Sequence, residues 1–132
     1  MRAKGEFEVK LSPLATFAPD AQEGPPLGRL SIDKQFRGDL MGTSKGEMLT
    51  AGSSMKGSAA YVAVERVTGS LHGKHGTFAL YHTGVMNRGD GALTVVVAPD
   101  SGTGDLTGLK GEMAIIIADG KHSYEFEYEI PG

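Results

Sequence analysis

A chain of 132 residues, 39% hydrophobic and 22% charged, has room for one domain built on a single core. Its net charge of −3, with no basic stripe and no polybasic segment, argues against nucleic acid and membrane surfaces as partners. The absence of cysteine excludes disulfides, thiol nucleophiles and cysteine-ligated zinc.

The N-terminus, Met1 to Gly5, runs into alternating charge rather than an apolar signal segment, and no apolar run approaches a membrane span. A cytoplasmic location is therefore expected. Phe7, Val9 and Leu11 alternate with Glu6, Glu8 and Lys10, the period of a half-buried strand. The segment from Pro13 to Gly28 carries Pro13, Pro19, Pro25 and Pro26 and is expected to be a loop.

An internal repeat follows. Gly38-Asp39-Leu40-Met41-Gly42, Gly69-Ser70-Leu71-His72-Gly73 and Gly104-Asp105-Leu106-Thr107-Gly108 share the pattern G-x-L-x-G. A further glycine succeeds each (Gly46, Gly76, Gly111), and then a strand-like run. Three related hairpins with regularly spaced strands suit a β-barrel or sandwich, and closure, which leaves no edge open, favours an all-β chain in a closed antiparallel β-barrel of about eight strands. No helix of normal length is expected, only a turn or two near residue 40 or around Leu106 to Leu109.

Two hairpins can be registered from their turns. A two-residue loop at Asp119-Gly120 pairs Ala118 with Lys121, Ile117 with His122, Ile115 with Tyr124 and Met113 with Phe126. The face holding Met113, Ile115, Tyr124 and Phe126 is then the inside, with His122 at its rim. A loop at Gly73-Lys74 pairs Val67 with Leu80, Glu65 with His82, Ala63 with Gly84 and Tyr61 with Met86. Aligning the first repeat with the second sets Phe36 level with Val67 and Lys34 level with Glu65. Leu30, Ile32 and Phe36 then face inward with Lys34 among them. A Lys, a Glu and a His at similar depth are costly unless they neutralise one another or meet water or a ligand.

The Glu65/His82 pair is the sharpest candidate for chemistry, because a carboxylate against an imidazole sets its tautomer and basicity as a general acid-base dyad requires. A satisfied buried polar pair is the competing interpretation. Lys34, Tyr61, Phe78, Leu80, Asp100, His122 and Tyr124 are the candidate ligand-binding residues, with Asp100 expected at the barrel mouth from its place in the repeat. His72 and His75 form an H-x-x-H, but they flank a turn and lack a third ligand, so no metal is expected. The Gly-rich stretch Pro99 to Asp105 lacks the Lys and following helix of a phosphate loop, and Ser101 is not in a nucleophile elbow. No cofactor is implied.

The runs Ser58 to Leu71, Gly76 to Gly84, Pro99 to Leu109 and Asp119 to Tyr128, with Leu27-Gly28-Arg29, Phe36, Gly38-Asp39-Leu40 and Gly46 to Leu49, resemble the DUF3224 family of bacterial proteins of unknown function. The resemblance implies an allene-oxide-cyclase-like, calycin-like barrel and supplies no catalytic residues. It departs at Tyr81, where the resemblance implies Gln. Three functional expectations follow: a barrel that isomerises or cyclises a small apolar ligand without a cofactor, a non-catalytic carrier using the same interior, or a filled structural module. In the last, exposed Val62, Val64 and Ile116 would favour a homo-oligomer.

Overall fold

The structure, a computed structural model, describes residues 1–18 and 24–131. Among these the alternating segments form eight antiparallel strands: β1 (Arg2–Leu14), β2 (Leu27–Gly38), β3 (Leu40–Ala51), β4 (Ala59–Leu71), β5 (Lys74–Asn87), β6 (Asp90–Val97), β7 (Lys110–Ala118) and β8 (Lys121–Glu129). They close into one barrel in sequence order, with β1 paired to β8. The expected fold class is observed. The one helical element among the described residues is a 3₁₀ turn at Gly104–Leu106, and no helix there is long and apolar enough to cross a membrane.

The proline-rich loop is shorter than expected. β1 continues through Pro13 to Leu14, and β2 begins at Leu27. Pairing of β1 with β8 ends at Phe7–His122, so Pro13 lies where β1 has only β2 beside it. A residue without an N–H is tolerated at such an edge. Pro19 lies outside the described residues.

Three hairpins turn on two-residue loops in which both residues have positive φ: His72-Gly73 (47° and 81°), Arg88-Gly89 (50° and 93°) and Asp119-Gly120 (52° and 74°). This is the loop whose twist matches that of the flanking strands, and it puts Gly second. The register expected from Asp119-Gly120 is observed in full. The expected loop at Gly73-Lys74 is corrected by one position to His72-Gly73, because Gly73 then takes the second site. The partners shift by two residues: Glu65 pairs with Leu80, Ala63 with His82, Tyr61 with Gly84 and Val67 with Phe78. A two-residue shift leaves every side chain on its expected face.

The repeat marks one end of the barrel. Leu40, Leu71 and Leu106 are all fully buried in the same core cluster. Leu40 and Leu71 are cross-strand partners beside the first two turns. The third copy is not a hairpin. It forms the 3₁₀ turn of the β6–β7 connection, which lies along β5 through Thr103 N donating to Thr77 O (2.8 Å) and Ala98 N to Ala79 O (2.9 Å). Leu106 and Leu109 thereby plug this end together with Phe78, Phe126 and Tyr128.

Two further features shape the wall. β6 and β7 share a single paired position, Val96 with Glu112, so the barrel has a seam there. The outer face is also two-sided. β1 and β8 present Glu6, Glu8, Lys10, Glu125, Glu127 and Glu129 to solvent. Across β3 to β6, by contrast, one cross-strand row reads Leu49, Val62, Thr83, Thr94. The row on one side of it reads Ala51, Ala60, Val85, Ala92, and that on the other Glu47, Val64, Tyr81, Val96.

Gly46 allows β3 and β4 to approach closely. A Cβ there would stand 2.1 Å from Val64 O and 2.6 Å from Glu65 Cα, both backbone atoms that cannot yield alone. We expect Gly46→Ala to destabilise the barrel by about 1–3 kcal/mol, the usual cost of overpacking, measured by urea unfolding against wild type.

Candidate functional site

Period-two alternation aims one polar side chain inward from each of four consecutive strands: Lys34 on β2, Ser44 on β3, Glu65 on β4 and His82 on β5. All are buried, at 5%, 1%, 1% and 4% exposure. Lys34 Nζ donates to Glu65 Oε2 at 2.8 Å, and Ser44 Oγ donates to Oε1 at 2.8 Å. Lys34 Nζ also stands over the Phe7 and Phe36 rings, 5.1 and 5.8 Å from their centroids, a favourable setting for a buried cation.

His82 completes the cluster in an unusual way. Its Nε2 lies 2.6 Å from Glu65 Oε2, an ion-pair distance, yet the approach lacks hydrogen-bond alignment and the buried nitrogen has no aligned partner. Its Nδ1 has a long contact, 3.5 Å, with the Tyr61 hydroxyl. Nε2 is thus engaged by the Glu65 carboxylate, and Nδ1 is the ring nitrogen with capacity to spare.

Burial alone would raise the pKa of the Glu65 carboxyl. The adjacent His82 imidazole and the Lys34 ammonium outweigh burial and hold it at about 2. Glu65 is therefore a carboxylate across the neutral range. Tyr61 is shifted the other way, its pKa raised by burial first and by the Glu65 charge second.

The cluster lies below an open barrel end. At the end opposite the leucine plug, inward positions become exposed: Leu11 at 46%, Met86 at 48%, Leu93 at 45% and Ile117 at 68%. Tyr61 is half-buried, one inward position closer to this opening than Ala63, the partner of His82. A cleft of about 360 Å³ opens nearby, where β8 begins, its wall mixing Phe7, Val9 and His122 with the charged Glu6, Glu8, Arg37 and Lys121. Glu65 and His82 do not line it, but Phe7, which does, packs against Lys34.

The remaining candidates are dispersed. Phe78 and Leu80 are sealed in the core, and Phe78 stacks on Phe126 with ring centroids 6.0 Å apart. Tyr124 is also buried, and its hydroxyl is committed to the β2–β3 turn. It donates to Arg37 O (2.8 Å), lies 3.1 Å from Leu40 O, and accepts from Leu40 N (2.9 Å). His122 is at the open rim as expected, its ring centroid 5.3 Å from that of Phe7. Asp100 lines a different cleft of about 830 Å³ at the plugged end, with Leu109, Lys110 and Tyr128, because the third repeat is a crossing connection rather than a hairpin. His72 contacts the Tyr128 hydroxyl through Nδ1, with Nε2 3.6 Å from Asp39, and His75 is exposed. Ser101 Oγ donates to Ala98 O at 2.7 Å, a turn-stabilising role.

Ser44 is the member of the cluster that sequence reasoning missed. Carrying the alternation across the Gly38-Asp39 turn would have revealed it, since Ser44 is the cross-strand partner of Lys34.

Comparison with known proteins adds a family and no activity. A family model described as "Protein of unknown function (DUF3224)" matches residues 3–128. A crystal structure of a DUF3224-family protein with unknown function from Shewanella oneidensis MR-1 is 46% identical. That match covers 100% of this chain and 98% of that one, with a TM-score of 0.95. No curated protein matches the chain.

Two measurements test the electrostatics. The carboxyl pKa of Glu65 falls on folding from about 4.5 to about 2. Its contribution to stability is therefore complete above the unfolded pKa and lost as pH drops through the folded one. We expect Glu65→Gln to flatten the stability profile between those values, removing on the order of 3 kcal/mol of pH-dependent stability; an unchanged acid-denaturation profile would contradict the assignment. Lys34→Met strips the carboxylate of its cation, and we expect a loss of about 3–5 kcal/mol by denaturant titration. Replacing both residues by apolar ones should recover part of that loss.

Proposed function

The chain belongs to the DUF3224 family, and from its own geometry we propose that the barrel binds a small, largely apolar molecule at its open end and handles a proton on it through His82. The observation that carries this is a buried imidazole whose Nδ1 has only a long contact, 3.5 Å, with the half-buried Tyr61 hydroxyl, below an opening whose inward side chains are apolar and exposed. Buried polar groups are normally satisfied, and the exceptions cluster where a ligand or a proton completes the set. The cleft beside Phe7, Val9 and His122, at about 360 Å³, has the size of a small-ligand pocket, and its charged rim of Glu6, Glu8, Arg37 and Lys121 suits the polar end of such a ligand.

In this proposal the apolar body of the ligand rests on Leu11, Leu93 and Ile117, and a polar group displaces Tyr61 to meet His82. The imidazole removes a proton at one atom of the ligand and returns it at another, a cofactor-free isomerisation or cyclisation. Glu65 stays ionised throughout and stabilises the imidazolium, while Lys34 keeps the resting cluster near neutrality. A second reading, a carrier without turnover, is favoured by the 4% exposure of His82 and by its absence from both clefts. A ligand lodged at the rim would then never reach it.

The test is a panel of apolar alcohols, ketones and cyclic hydrocarbons, screened by native mass spectrometry and followed by amide chemical shifts. We expect at least one bound member, with shifts at Phe7, Val9, His82 and His122. Shifts confined to Asp100, Leu109 and Tyr128 would move the site to the other end, and an unbound panel would sink the proposal. Chromatography of the released ligand then separates the two readings. A catalyst yields an isomer that disappears in His82→Ala and falls at least ~100-fold in Glu65→Gln, whereas a carrier returns the ligand unchanged.

A further inference from the structure

We propose that the outer face of β3 to β6 is an interface with a second copy of this chain, two barrels packing sheet to sheet. The face carries five large apolar side chains that its own fold leaves in water: Leu49 at 55%, Val62 at 52%, Val64 at 60%, Tyr81 at 41% and Val85 at 50% exposure. Antiparallel pairing makes them neighbours. Val62 stands between Leu49 and Thr83, Val64 beside Tyr81, and Val85 beside Ala60. The outer wall is therefore a continuous surface of β-branched, aromatic and small residues rather than scattered single side chains.

Charge points to a copy of the same molecule. Glu47 is the one charged group in the three central rows, and Arg29 already pairs with it at 2.6 Å. The chain is acidic overall, and Glu6, Glu8, Glu125 and Glu127 lie on β1 and β8, away from this face. Joining two copies through β3 to β6 directs those acidic walls outward, so two like-charged molecules meet where neither carries its charge. At the rim, Lys45 pairs with Asp33 at 3.2 Å, while its cross-strand neighbour Arg66 has no ion pair among the described residues. A rim holding both signs is self-complementary across a two-fold axis, where each copy offers the other the same patch.

Sedimentation velocity of the full chain across micromolar concentrations should show a species of twice the chain mass. Val64→Glu, at an outward site, should return it to the monomer with circular dichroism unchanged. The absence of cysteine permits a second, independent measurement. Thr83→Cys, at the centre of the face, should cross-link to dimer with a flexible bismaleimide, and Glu125→Cys, on the opposite wall, should not. Should Val64→Glu fail to fold, Leu49→Lys and the cross-linking pair decide. A wild-type monomer at every concentration, a folded Val64→Glu dimer, or equal cross-linking at positions 83 and 125 would overturn the proposal. These outcomes do not depend on ligand binding at the open end.

Discussion

The carboxylate of Glu65 is the point on which the interior depends. It lies almost wholly out of water and would be untenable alone, since an unpaired buried charge costs several kcal/mol (roughly) even after relaxation. Its two oxygens meet Ser44, Lys34 and His82, one from each of three other strands. That set holds only if β2, β3, β4 and β5 keep their mutual register. A slip that preserved every side chain's face would still move a partner about 7 Å along its strand and break the contact. The apolar plug tolerates approximate packing, whereas the polar cluster demands one alignment.

The same constraint separates what could be read from the residues and what could not. Facing directions were legible because they depend only on parity: Lys34, Glu65 and His82 were placed inside correctly although the β4–β5 register was two residues away. That register was missed because a glycine can take either central position of a tight loop, and only the demand for positive φ at both sites selects His72-Gly73 over Gly73-Lys74. Asp119-Gly120 was unambiguous, since Asp tolerates the left-handed region at the first site and Gly takes the second. The Tyr124 hydroxyl was not legible for a different reason. Its partner Leu40 lies 84 residues distant in the chain, and local alternation carries no information about such closures. Asp100 went to the wrong end because three copies of G-x-L-x-G look alike, while one lies in a connection that crosses β5.

Polarity is distributed in this barrel against the simplest rule. An ion cluster is buried and a band of valine, leucine and tyrosine is left outside. The first departure is compensated by mutual neutralisation, and the second is the face proposed above to meet another copy. The two departures share strands: β4 carries Glu65 inward and Val62 and Val64 outward, and β5 carries His82 inward and Tyr81 outward. Adjacent residues on one backbone thus serve the cluster and the outer band, so the positioning of either face is inherited by the other.

The seam between β6 and β7 has a consequence for how the barrel breathes. Backbone amides report the opening of whatever cooperative unit encloses them, and units held by few bonds open with the least free energy. One bridge at Val96 and Glu112 is a thin join beside the long ladders elsewhere in the wall. By that rule, amides of the β7–β8 hairpin are expected to exchange before those of β2 to β5.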